Sequence, residues 1–376
     1  MFVLAHGAHD IALSLLVPLL PLIRDEFGLS YLKAGLLVSA YSITSGFSQI
    51  PMGWMADRLG PKRMAVAGLI GVGMTALCLS LTHTFSQMLP VLIMMGIIAG
   101  AYHPSAISQI PRYFPEERRG RALGFHLVGG NIGFMLGPFL AGIIAGIYGW
   151  RIVYLVLSMP AILTALLLMR SIKKEWEAPR EKGAKNPSDS ILQTFRSIAF
   201  ILSASVLVQF IVGSAINFIP IYFVDMHGIN PAHAAILLAL VRVGSTVASP
   251  LGGYMSDKLG IRRTVTISVA GVGPMLFLVA ILPFNLFLTA FMLSLLGLFL
   301  MMRQAPMQAL IVEVTSDRNR SMMLGLYFFL SLEGRSIMVP LAGYFMDIFG
   351  LFPAFVGMAA ATLIVSATTL LLRSKL

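Results

Sequence analysis

Ionisable side chains lie inside several long apolar stretches of this 376-residue chain. In the first stretch, His6 and Asp10 are four residues apart, so they share one face of a helix. If that stretch crosses a membrane, Asp10 lies roughly 15 Å along from Met1, near the middle of a ~30 Å hydrocarbon core. Desolvation at that depth favours the neutral form of a carboxyl group. A carboxyl group at that depth is therefore suited to taking up and releasing a proton.

We therefore predict that Asp10 is the principal proton carrier. The other residues assigned to proton coupling are His6, His103 and Glu333. One alternative is a purely structural hydrogen bond from Asp10 to another helix. A second is a divalent metal ion, because His9 lies beside this pair and imidazoles and carboxylates are common ligands. No pattern in the sequence places the remaining ligands, so no metal and no cofactor are predicted.

The second half of the chain carries arginines within its apolar stretches. Arg242, Arg303 and Arg335 outnumber their one acidic neighbour, Glu333. Because a guanidinium group suits phosphate, phosphonate or carboxylate, we predict an anionic or zwitterionic solute contacted by Arg303. The alternative is that these arginines bond to helix carbonyl groups. The predicted solute contacts are Arg303, Gln304, Gln308, Arg242, Arg335, His126, Asn131, Gln209 and Asn217.

The composition indicates which elements must position these residues. Hydrophobic residues make up 57% of the chain and charged residues 11%, whereas about a quarter of a soluble domain is charged. The apolar runs are long enough to cross a bilayer and too numerous for a signal peptide and one anchor. A single cysteine excludes a disulfide framework. The net charge of +11 lies in the connections, which indicates membrane topology and no nucleic-acid partner.

The apolar runs predict an all-α polytopic membrane protein with twelve transmembrane helices. Their predicted spans are 1–23, 33–55, 63–83, 87–110, 121–147, 150–170, 196–224, 232–254, 264–282, 285–312, 320–346 and 351–372. The polar stretch 171–195 predicts a linker. It separates an N-terminal six-helix bundle, 1–170, from a C-terminal six-helix bundle, 196–376. Met1 already lies within the first predicted helix, which is consistent with native residues preceding it.

An eleven-residue pattern occurs twice, two hundred positions apart. It reads GWMADRLGPKR from Gly53 and GYMSDKLGIRR from Gly253. A second pair of related segments, LAGIIAGIYGW from Leu140 and LAGYFMDIFGL from Leu341, supports the repeat. Internal repeats of this kind are typical of transporters built from two similar bundles.

Basic residues are distributed unevenly between the two sides of the predicted membrane. One side carries only Arg24, Lys33 and Arg151 outside the apolar spans. The other carries the linker's bases and Arg58, Lys62, Arg63, Arg112, Arg118, Arg119, Arg121, Lys258, Arg262, Arg263, Arg318, Arg320, Arg373 and Lys375. Because lysine and arginine concentrate on the cytoplasmic side, both termini and the linker are predicted to be cytoplasmic.

Every third predicted helix, namely the third, sixth, ninth and twelfth, lacks charged residues in its apolar span. The other helices are therefore expected to surround a water-accessible cavity.

With the motif GxxxDRxGxxR after helix 2 and again after helix 8, the whole chain resembles the major facilitator superfamily. The resemblance implies a cavity lined by helices 1, 4, 7 and 10. It also implies that Asp57 and Asp257 latch the cytoplasmic side by facing the N-terminus of a neighbouring helix. The gating residues are Gly53, Asp57, Arg58, Gly60, Arg63, Gly253, Asp257, Lys258, Gly260 and Arg263. For the basic residues of the first copy, an equally favoured alternative to a gating role is that they only determine the membrane topology.

The fifth predicted helix contains a stripe of small residues that would let another helix approach closely. The stripe consists of Gly129, Gly133, Gly137 and Ala141. The segment also resembles the antiporter motif of the superfamily, which implies export in exchange for protons. The residues that match this motif are Gly124, Gly133, Gly137, Pro138 and Gly142, with Ala141 in place of a glycine. Generic helix packing is the alternative explanation.

Within the superfamily, the segments AHGAHDIALSLLVPLLPLI, GAYHPSAIS and VGGNIGFMLGP resemble fosmidomycin-resistance-type exporters. The histidines and the carboxylate that recur in that group correspond to His6, Asp10 and His103, followed by Pro104. The chain departs from many drug–proton antiporters at helix 4, where Leu92 stands near the position of their arginine. Proton coupling is therefore expected to depend on other residues.

These observations predict a secondary active transporter that works by alternating access, as a proton-coupled antiporter exporting small organic compounds, including anionic drugs. The alternatives are a proton-coupled symporter that imports an organic anion and, less favoured, a divalent-metal transporter. No GxSxG or HExxH motif indicates an enzyme. We expect a monomer in the inner membrane of a prokaryote, with the lipid bilayer, protons and a small-molecule substrate as partners.

Overall fold

The computed structural model describes residues 1–109, 113, 116–171, 191–307 and 335–371. At positions 57, 108, 116–124, 191–201, 249 and 335 it describes the backbone alone. No β-strand occurs in these ranges, and the predicted all-α class is confirmed. Most of the predicted linker and the first part of the predicted eleventh helix lie outside the described residues.

Fifteen helices are described, numbered here in chain order. The first nine are α1 (Phe2–Leu13), α2 (Leu16–Phe27), α3 (Tyr31–Leu59), α4 (Pro61–Ser80), α5 (Phe85–Ala99), α6 (Tyr102–Gln109), α7 (Glu116–Tyr148), α8 (Trp150–Leu157) and α9 (Met159–Ser171). The other six are α10 (Ile191–His227), α11 (Pro231–Leu259), α12 (Ile261–Ile281), α13 (Leu286–Met302), α14 (Arg335–Phe349) and α15 (Leu351–Leu371).

Ten stretches of the described residues are long and apolar enough to cross a membrane. Two further helices, α3 and α14, occupy the positions predicted for the second and eleventh spans. The described apolar part of α14, Ser336–Phe349, is shorter than a full span. The chain is therefore a multi-pass helical membrane protein, as predicted, while the count of twelve spans stays a prediction.

Prolines divide several spans that we predicted as continuous helices. The first span breaks between α1 and α2 because Pro18 has no N–H to bond to the carbonyl of Ser14. The fourth span breaks between α5 and α6, where Pro104 stands in the same relation to Gly100. The tenth span turns at Arg303, directly after α13. The apolar pattern continues through each break, so hydrophobicity alone did not reveal them.

The two copies of the repeated motif have the same backbone geometry. In each copy a single glycine separates two long helices, Gly60 between α3 and α4 and Gly260 between α11 and α12. Their φ angles are 98° and 85°, in the region that disfavours residues with a Cβ atom. The motif thus forms a sharp turn, with its flanking residues inside helices.

Contacts among the helices divide the chain into two compact units. The first unit comprises Met1–Ala178 and Ile219–Ala239, and the second comprises Pro179–Phe218 and Leu240–Leu376. The predicted boundary through residues 171–195 stays a prediction, since most of that segment lies outside the described residues.

Equivalent packing contacts recur inside the two units. In the first unit the Ser48 hydroxyl on α3 donates to the carbonyl of Gly96 on α5, at 3.2 Å. In the second unit the Ser245 hydroxyl on α11 donates to the carbonyl of Gly297 on α13, at 3.3 Å. A serine hydroxyl can reach a carbonyl of another helix where a small residue brings the two backbones together. The repeat seen in the motif therefore extends into the interior of each unit.

The small-residue stripe of α7 lies against α1 in the first unit. A Cβ atom on Gly129 would lie 2.9 Å from the carbonyl carbon of Val3, and one on Gly133 would lie 3.1 Å from Cβ of Asp10. A Cβ on Gly137 would overlap the side chain of Ser14. The close approach predicted from this stripe is present, and it brings the backbone of α7 next to Asp10.

We expect Gly129→Ala to destabilise the protein. The new methyl group would press on the backbone of Val3, which cannot rotate away, and overpacking of this kind costs about 1–3 kcal/mol. Gly357→Ala on α15 is the matched control, because nothing lies within 4 Å of its Cβ position. Thermal unfolding in detergent should show a lower melting temperature for Gly129→Ala than for the control. Equal melting temperatures would contradict the close α1–α7 contact.

Candidate functional site

Four histidines and one carboxylate form a group where α1, α6 and α7 meet in the first unit. His6, His9 and Asp10 come from α1, His103 from α6 and His126 from α7. All except His103 are buried, and the side chain of His103 is 30% exposed. We call these five residues the histidine–aspartate cluster. It contains three of the four residues predicted to couple protons, and the fourth, Glu333, lies outside the described residues.

Both carboxylate oxygens of Asp10 face imidazole nitrogens. Oδ2 lies 3.2 Å from Nε2 of His6, and Oδ1 lies 2.8 Å from Nδ1 of His9. Nε2 of His103 is 3.9 Å from Oδ1, which places it at the edge of the same group. A buried carboxylate is stable only when hydrogen bonds or an opposite charge replace its water. In this protein the histidine side chains replace that water.

The contacts of His6 determine where its hydrogen lies. Nδ1 of His6 is 2.8 Å from the carbonyl oxygen of His126. A carbonyl oxygen can only accept, so Nδ1 must carry a hydrogen and donate it. Nε2 then faces Oδ2 of Asp10, where a bare nitrogen and an ionised oxygen would repel each other. One proton therefore lies between His6 and Asp10 in this arrangement, whichever of the two atoms holds it.

His126 and Tyr102 fix the beginning of α1 against α7 and α6. The ring of His126 stacks on that of His6, with centroids 4.1 Å apart. Nδ1 of His126 donates to the carbonyl of Phe2 at 3.3 Å, and the Tyr102 hydroxyl donates to the same carbonyl at 3.3 Å. Tyr102 also stacks on His9, at 4.7 Å. Sequence reasoning missed Tyr102, although its position beside His103 placed it next to a predicted site residue.

Two nitrogen atoms of the cluster have no hydrogen-bond partner in the part of the chain that the structure describes. They are Nε2 of His9 and Nε2 of His126, both in fully buried rings. Nδ1 of each ring faces an acceptor, which leaves the lone pair on Nε2 uncovered. Buried polar atoms without partners are uncommon, and they often mark functional sites.

The divalent-metal alternative also has a geometric basis. Ligating atoms of His6, Asp10 and His103 all lie within 4.8 Å of one another. Ligands about 2.0–2.2 Å from a tetrahedral ion are roughly 3.3–3.6 Å apart. The separation of 3.2 Å between His6 and Asp10 fits this spacing, whereas the 3.9 Å between Asp10 and His103 is wider. The same atoms could also share a proton, so an experiment is needed to decide between proton binding and metal binding.

Arg303 makes a hydrogen-bond network inside the second unit. Its side chain is 3% exposed, and it lies at the turn of the tenth span. Nε donates to the hydroxyl of Ser205 at 2.7 Å, and Nη2 donates to Oε1 of Gln209 at 2.5 Å. Nη1 donates to the carbonyl of Leu300. The guanidinium group thus links the tenth span to α10, which is the kind of helix bonding considered as the alternative. Solute contact by Arg303 stays a prediction.

Residues of both units are among the predicted solute contacts other than Arg303. Gln209 contacts it directly, whereas His126 belongs to the histidine–aspartate cluster. Asn131 is exposed on α7, Arg242 is half-buried on α11, and Gln304 is half-buried directly after Arg303. Asn217 donates to the Gly213 carbonyl of its own helix. Gln308 and the side chain of Arg335 lie outside the described residues.

The basic residue of each repeated motif stacks on an aromatic ring four residues earlier. The guanidinium carbon of Arg58 lies 3.8 Å from the ring centre of Trp54, and Nζ of Lys258 lies 4.6 Å from that of Tyr254. Such cation–π contacts contribute about 0.5–1 kcal/mol at exposed sites. The four-residue spacing could have revealed them in the sequence. The latch role of the motif stays a prediction, because the side chain of Asp57 lies outside the described residues.

The opposite ends of the first unit's helices carry ion pairs that sequence reasoning missed. Arg24 at the end of α2 pairs with Asp225 at the end of α10, and the Tyr31 hydroxyl also donates to Asp225 at 2.8 Å. Arg151 at the start of α8 pairs with Glu26 at 2.7 Å. In the sequence, Arg24 and Arg151 indicate membrane topology only. Their partners are distant in sequence, so spacing gave no indication of the pairs.

The Major Facilitator Superfamily model matches residues 2–284 and 201–375 of this chain. The chain belongs to this superfamily. Membership confirms the predicted resemblance and fold, and it makes the protein a membrane transporter and not an enzyme.

Similar proteins include two bacterial resistance proteins. The Fosmidomycin resistance protein of Escherichia coli (strain K12) is 24% identical over 278 residues, which cover 72% of this chain and 68% of that protein. The Multidrug resistance protein MdtG of Enterobacter lignolyticus (strain SCF1) is 28% identical over 299 residues, covering 75% of this chain and 70% of that protein.

Solved structures of other transporters share the fold. A bacterial homolog to the human lysosomal transporter Spinster, inward-facing and unoccupied, superposes with a TM-score of 0.82 at 18% identity, covering 100% of this chain and 95% of that one. A POT family transporter in complex with a thioalcohol conjugated peptide gives a TM-score of 0.82 at 13% identity, with the same coverage. At these identities the likeness concerns the fold alone.

We expect Arg303→Lys to lower the melting temperature. A lysine cannot donate to Ser205 and Gln209 at once in the planar arrangement of a guanidinium group, and a buried polar atom left without a partner costs about 1–3 kcal/mol. Gln304→Ala, one residue away and half-buried, is the control and should unfold near the wild-type temperature. If Arg303→Lys were as stable as wild type but bound anionic compounds more weakly, solute contact would be the better explanation.

Proposed function

We propose that this transporter is a proton-coupled antiporter that exports small organic compounds. The observation that supports it most is the buried His6–Asp10 pair, in which Nε2 of His6 lies 3.2 Å from Oδ2 of Asp10 inside a stretch long and apolar enough to cross a membrane. Similarity to a fosmidomycin resistance protein and to MdtG supports export as the direction and drugs as the class of solute. We further propose a monomer in the inner membrane of a bacterium, with both termini in the cytoplasm.

The shared proton supplies a physical basis for coupling. With the proton present, the His6–Asp10 pair is neutral overall, and without it the pair retains a buried negative charge. Burying that negative charge is costly. The deprotonated pair therefore favours a conformation that admits water more strongly than the protonated pair does. The proton is released towards the cytoplasm as a solute binds. A proton from the outside then restores the neutral pair as the solute leaves.

The surroundings of Asp10 support a role in conformational change. Asp10 lies four residues before the break at Ser14, and His103 lies directly after the break between α5 and α6. Broken helices of this kind commonly form the substrate and ion sites of secondary transporters. The arrangement places the titratable groups close to these two breaks.

A divalent-metal transporter is a second candidate because of the spacing of His6, Asp10 and His103. The two candidates differ in their expected cargo. Radioactive Zn²⁺ or Ni²⁺ should accumulate in proteoliposomes if the metal hypothesis holds, with no dependence on an organic solute. Organic-solute flux without metal flux would support the antiporter. An organic anion that enters with protons would instead support the symporter predicted as the runner-up.

We expect Asp10→Asn to lose gradient-driven transport by at least about tenfold, since the amide keeps the size of the carboxyl group but cannot release a proton. The assay uses proteoliposomes with an imposed proton gradient, with fosmidomycin and a panel of antibiotics as solutes. Downhill solute exchange, which needs no net proton movement, should persist. His233→Ala changes an exposed histidine on α11 and should behave as wild type.

Two results would contradict the proposal. Asp10→Asn could transport with unchanged rate and unchanged pH dependence, which would remove Asp10 as the proton carrier. Alternatively, the wild-type protein could move every tested solute at a rate that no proton gradient alters, which would remove proton coupling altogether.

A further inference from the structure

We propose that Arg24, Tyr31 and Asp225 form a clamp that closes one end of the transporter and opens once in each transport cycle. We call these three residues the Arg24 clamp. The inference rests on the proposed function only in requiring alternating access, in which two similar halves of the chain move relative to each other. It involves no residue of the histidine–aspartate cluster.

Each member of the Arg24 clamp contacts the other two. The Arg24 guanidinium group pairs with the Asp225 carboxylate. The Tyr31 hydroxyl donates to the same carboxylate oxygen, Oδ2, at 2.8 Å. The guanidinium carbon also lies 4.4 Å from the centre of the Tyr31 ring, which is a cation–π distance. The charged side chains are only 19% and 20% exposed, so salt and water screen this pair less than a fully exposed one.

The helices that carry the two charges occupy equivalent positions in the internal repeat. Helix α3 begins at Tyr31 and α11 begins at Pro231, and each contains 29 residues. The glycines that directly follow α2 and α10 are Gly28 and Gly228, with φ angles of 60° and 64°. Both pairs of positions are two hundred residues apart, as are the two copies of the motif. The ends of α2 and α10 are therefore counterparts, and the clamp joins the two halves of the sequence.

The repeat alone does not account for this ion pair. At the same spacing, the counterpart of Asp225 is Asp25, which is exposed, and the counterpart of Arg24 is Val224. A valine cannot pair with the Asp25 carboxylate, so the counterpart positions cannot form a second pair of this kind. The Arg24 clamp is thus a specific feature of these positions, and Asp25 provides a matched control for it.

The corner between α10 and α11 is packed on the first unit. Residues Ile219–Ala239 belong to that unit together with Met1–Ala178. A Cβ atom on Gly142 of α7 would lie 2.6 Å from the carbonyl oxygen of Ala232, and one on Gly146 would lie 3.0 Å from Cβ of Ala232. These contacts depend on small residues and involve no charge. The Arg24 clamp adds a charged and directional contact to the same corner.

The clamp lies at the opposite end of α3 from the repeated motif. Helix α3 begins at Tyr31, and Gly60 of the motif directly follows its last residue. At 1.5 Å per residue, the 29 residues of α3 span roughly 43 Å, which exceeds the ~30 Å hydrocarbon core. Since the basic residues predict that the motif is cytoplasmic, the clamp belongs to the external end.

A clamp at the external end controls when a bound solute can leave to the outside. Two halves that rock about a central site expose that site to one side at a time. For the ends of α2 and α10 to separate, the ion pair and the Tyr31 hydrogen bond must break. The intact clamp therefore favours conformations closed to the outside, and its strength sets the population of externally open molecules.

The test measures the separation of the helix ends in the full chain, in lipid nanodiscs. The background variant is Cys78→Ser, which removes the native thiol. Spin labels are attached to cysteines introduced at Ser86 and Met226, which are exposed near the start of α5 and near the end of α10. Double electron–electron resonance then gives the distribution of distances between the two labels.

The variants remove one member of the clamp at a time. They are Arg24→Met, Asp225→Asn and Tyr31→Phe, together with a charge-reversed double variant that combines Arg24→Asp with Asp225→Arg. The control is Asp25→Asn, which removes the same charge by the same substitution at the counterpart position in the repeat.

We expect two populations of distances, with the shorter one dominant in the wild type. Arg24→Met and Asp225→Asn should each raise the ratio of long to short distances about threefold to fivefold, the modest effect typical of a partly exposed ion pair. Tyr31→Phe should raise the ratio less, because the ion pair remains. The charge-reversed variant should bring the ratio back towards the wild-type value, and Asp25→Asn should leave it unchanged.

Two results would overturn the inference. One is a distance distribution that neither Arg24→Met nor Asp225→Asn alters. The other is a change in Asp25→Asn as large as that in Asp225→Asn, since any loss of negative charge at this end would then suffice. If Arg24→Met does not fold, Asp225→Asn decides the outcome, because it keeps the size of the side chain.

Failure of the proposed function would look different, because the distance measurement needs neither a solute nor a proton gradient. Solute flux that no proton gradient alters, combined with the expected response to the clamp variants, would remove proton coupling and leave the clamp. Proton-driven flux combined with distances that the clamp variants do not change would remove the clamp and leave proton coupling.

Discussion

A carboxylate buried in a membrane-spanning helix must be neutralised, and this constraint shapes the first unit of the protein. Asp10 is 2% exposed, and it is surrounded by imidazoles that replace the water it would otherwise bind. His103 reaches Asp10 from α6 and His126 reaches His6 from α7, which requires both helices to approach α1 closely. The glycines of α7 permit that approach. The break after α5 places His103 on the separate helix α6.

The two halves of the chain share their turns and packing but differ in their buried polar groups. Both motif copies turn at a glycine and stack a base on an aromatic ring. In the first unit the buried polar groups include imidazoles and a carboxylate, which can gain and lose protons. In the second unit a permanently charged guanidinium group donates to Ser205, Gln209 and Leu300. Proton handling is therefore proposed for the first unit, and solute contact by Arg303 stays a prediction.

Much of this arrangement could be predicted from the sequence wherever it depends on spacing along one helix. The pairing of His6 with Asp10 follows from a separation of four residues, and the close α1–α7 contact follows from the glycine stripe. Contacts between distant segments could not be predicted in this way. The bond from His6 to the carbonyl of His126 joins residues 120 positions apart. Adjacent residues do not face each other on a regular helix, yet Nδ1 of His9 lies 2.8 Å from Oδ1 of Asp10.

The central claim is that Asp10, together with His6, holds the proton that is exchanged for the solute. The most direct measurement adds fosmidomycin, or another transported compound, to the purified protein in a weakly buffered detergent solution and records the pH. The wild-type protein should release about one proton per molecule as the compound binds, because the pair has one shared proton to lose. Asp10→Asn should bind the compound and release none. Equal proton release by wild type and Asp10→Asn would contradict the account.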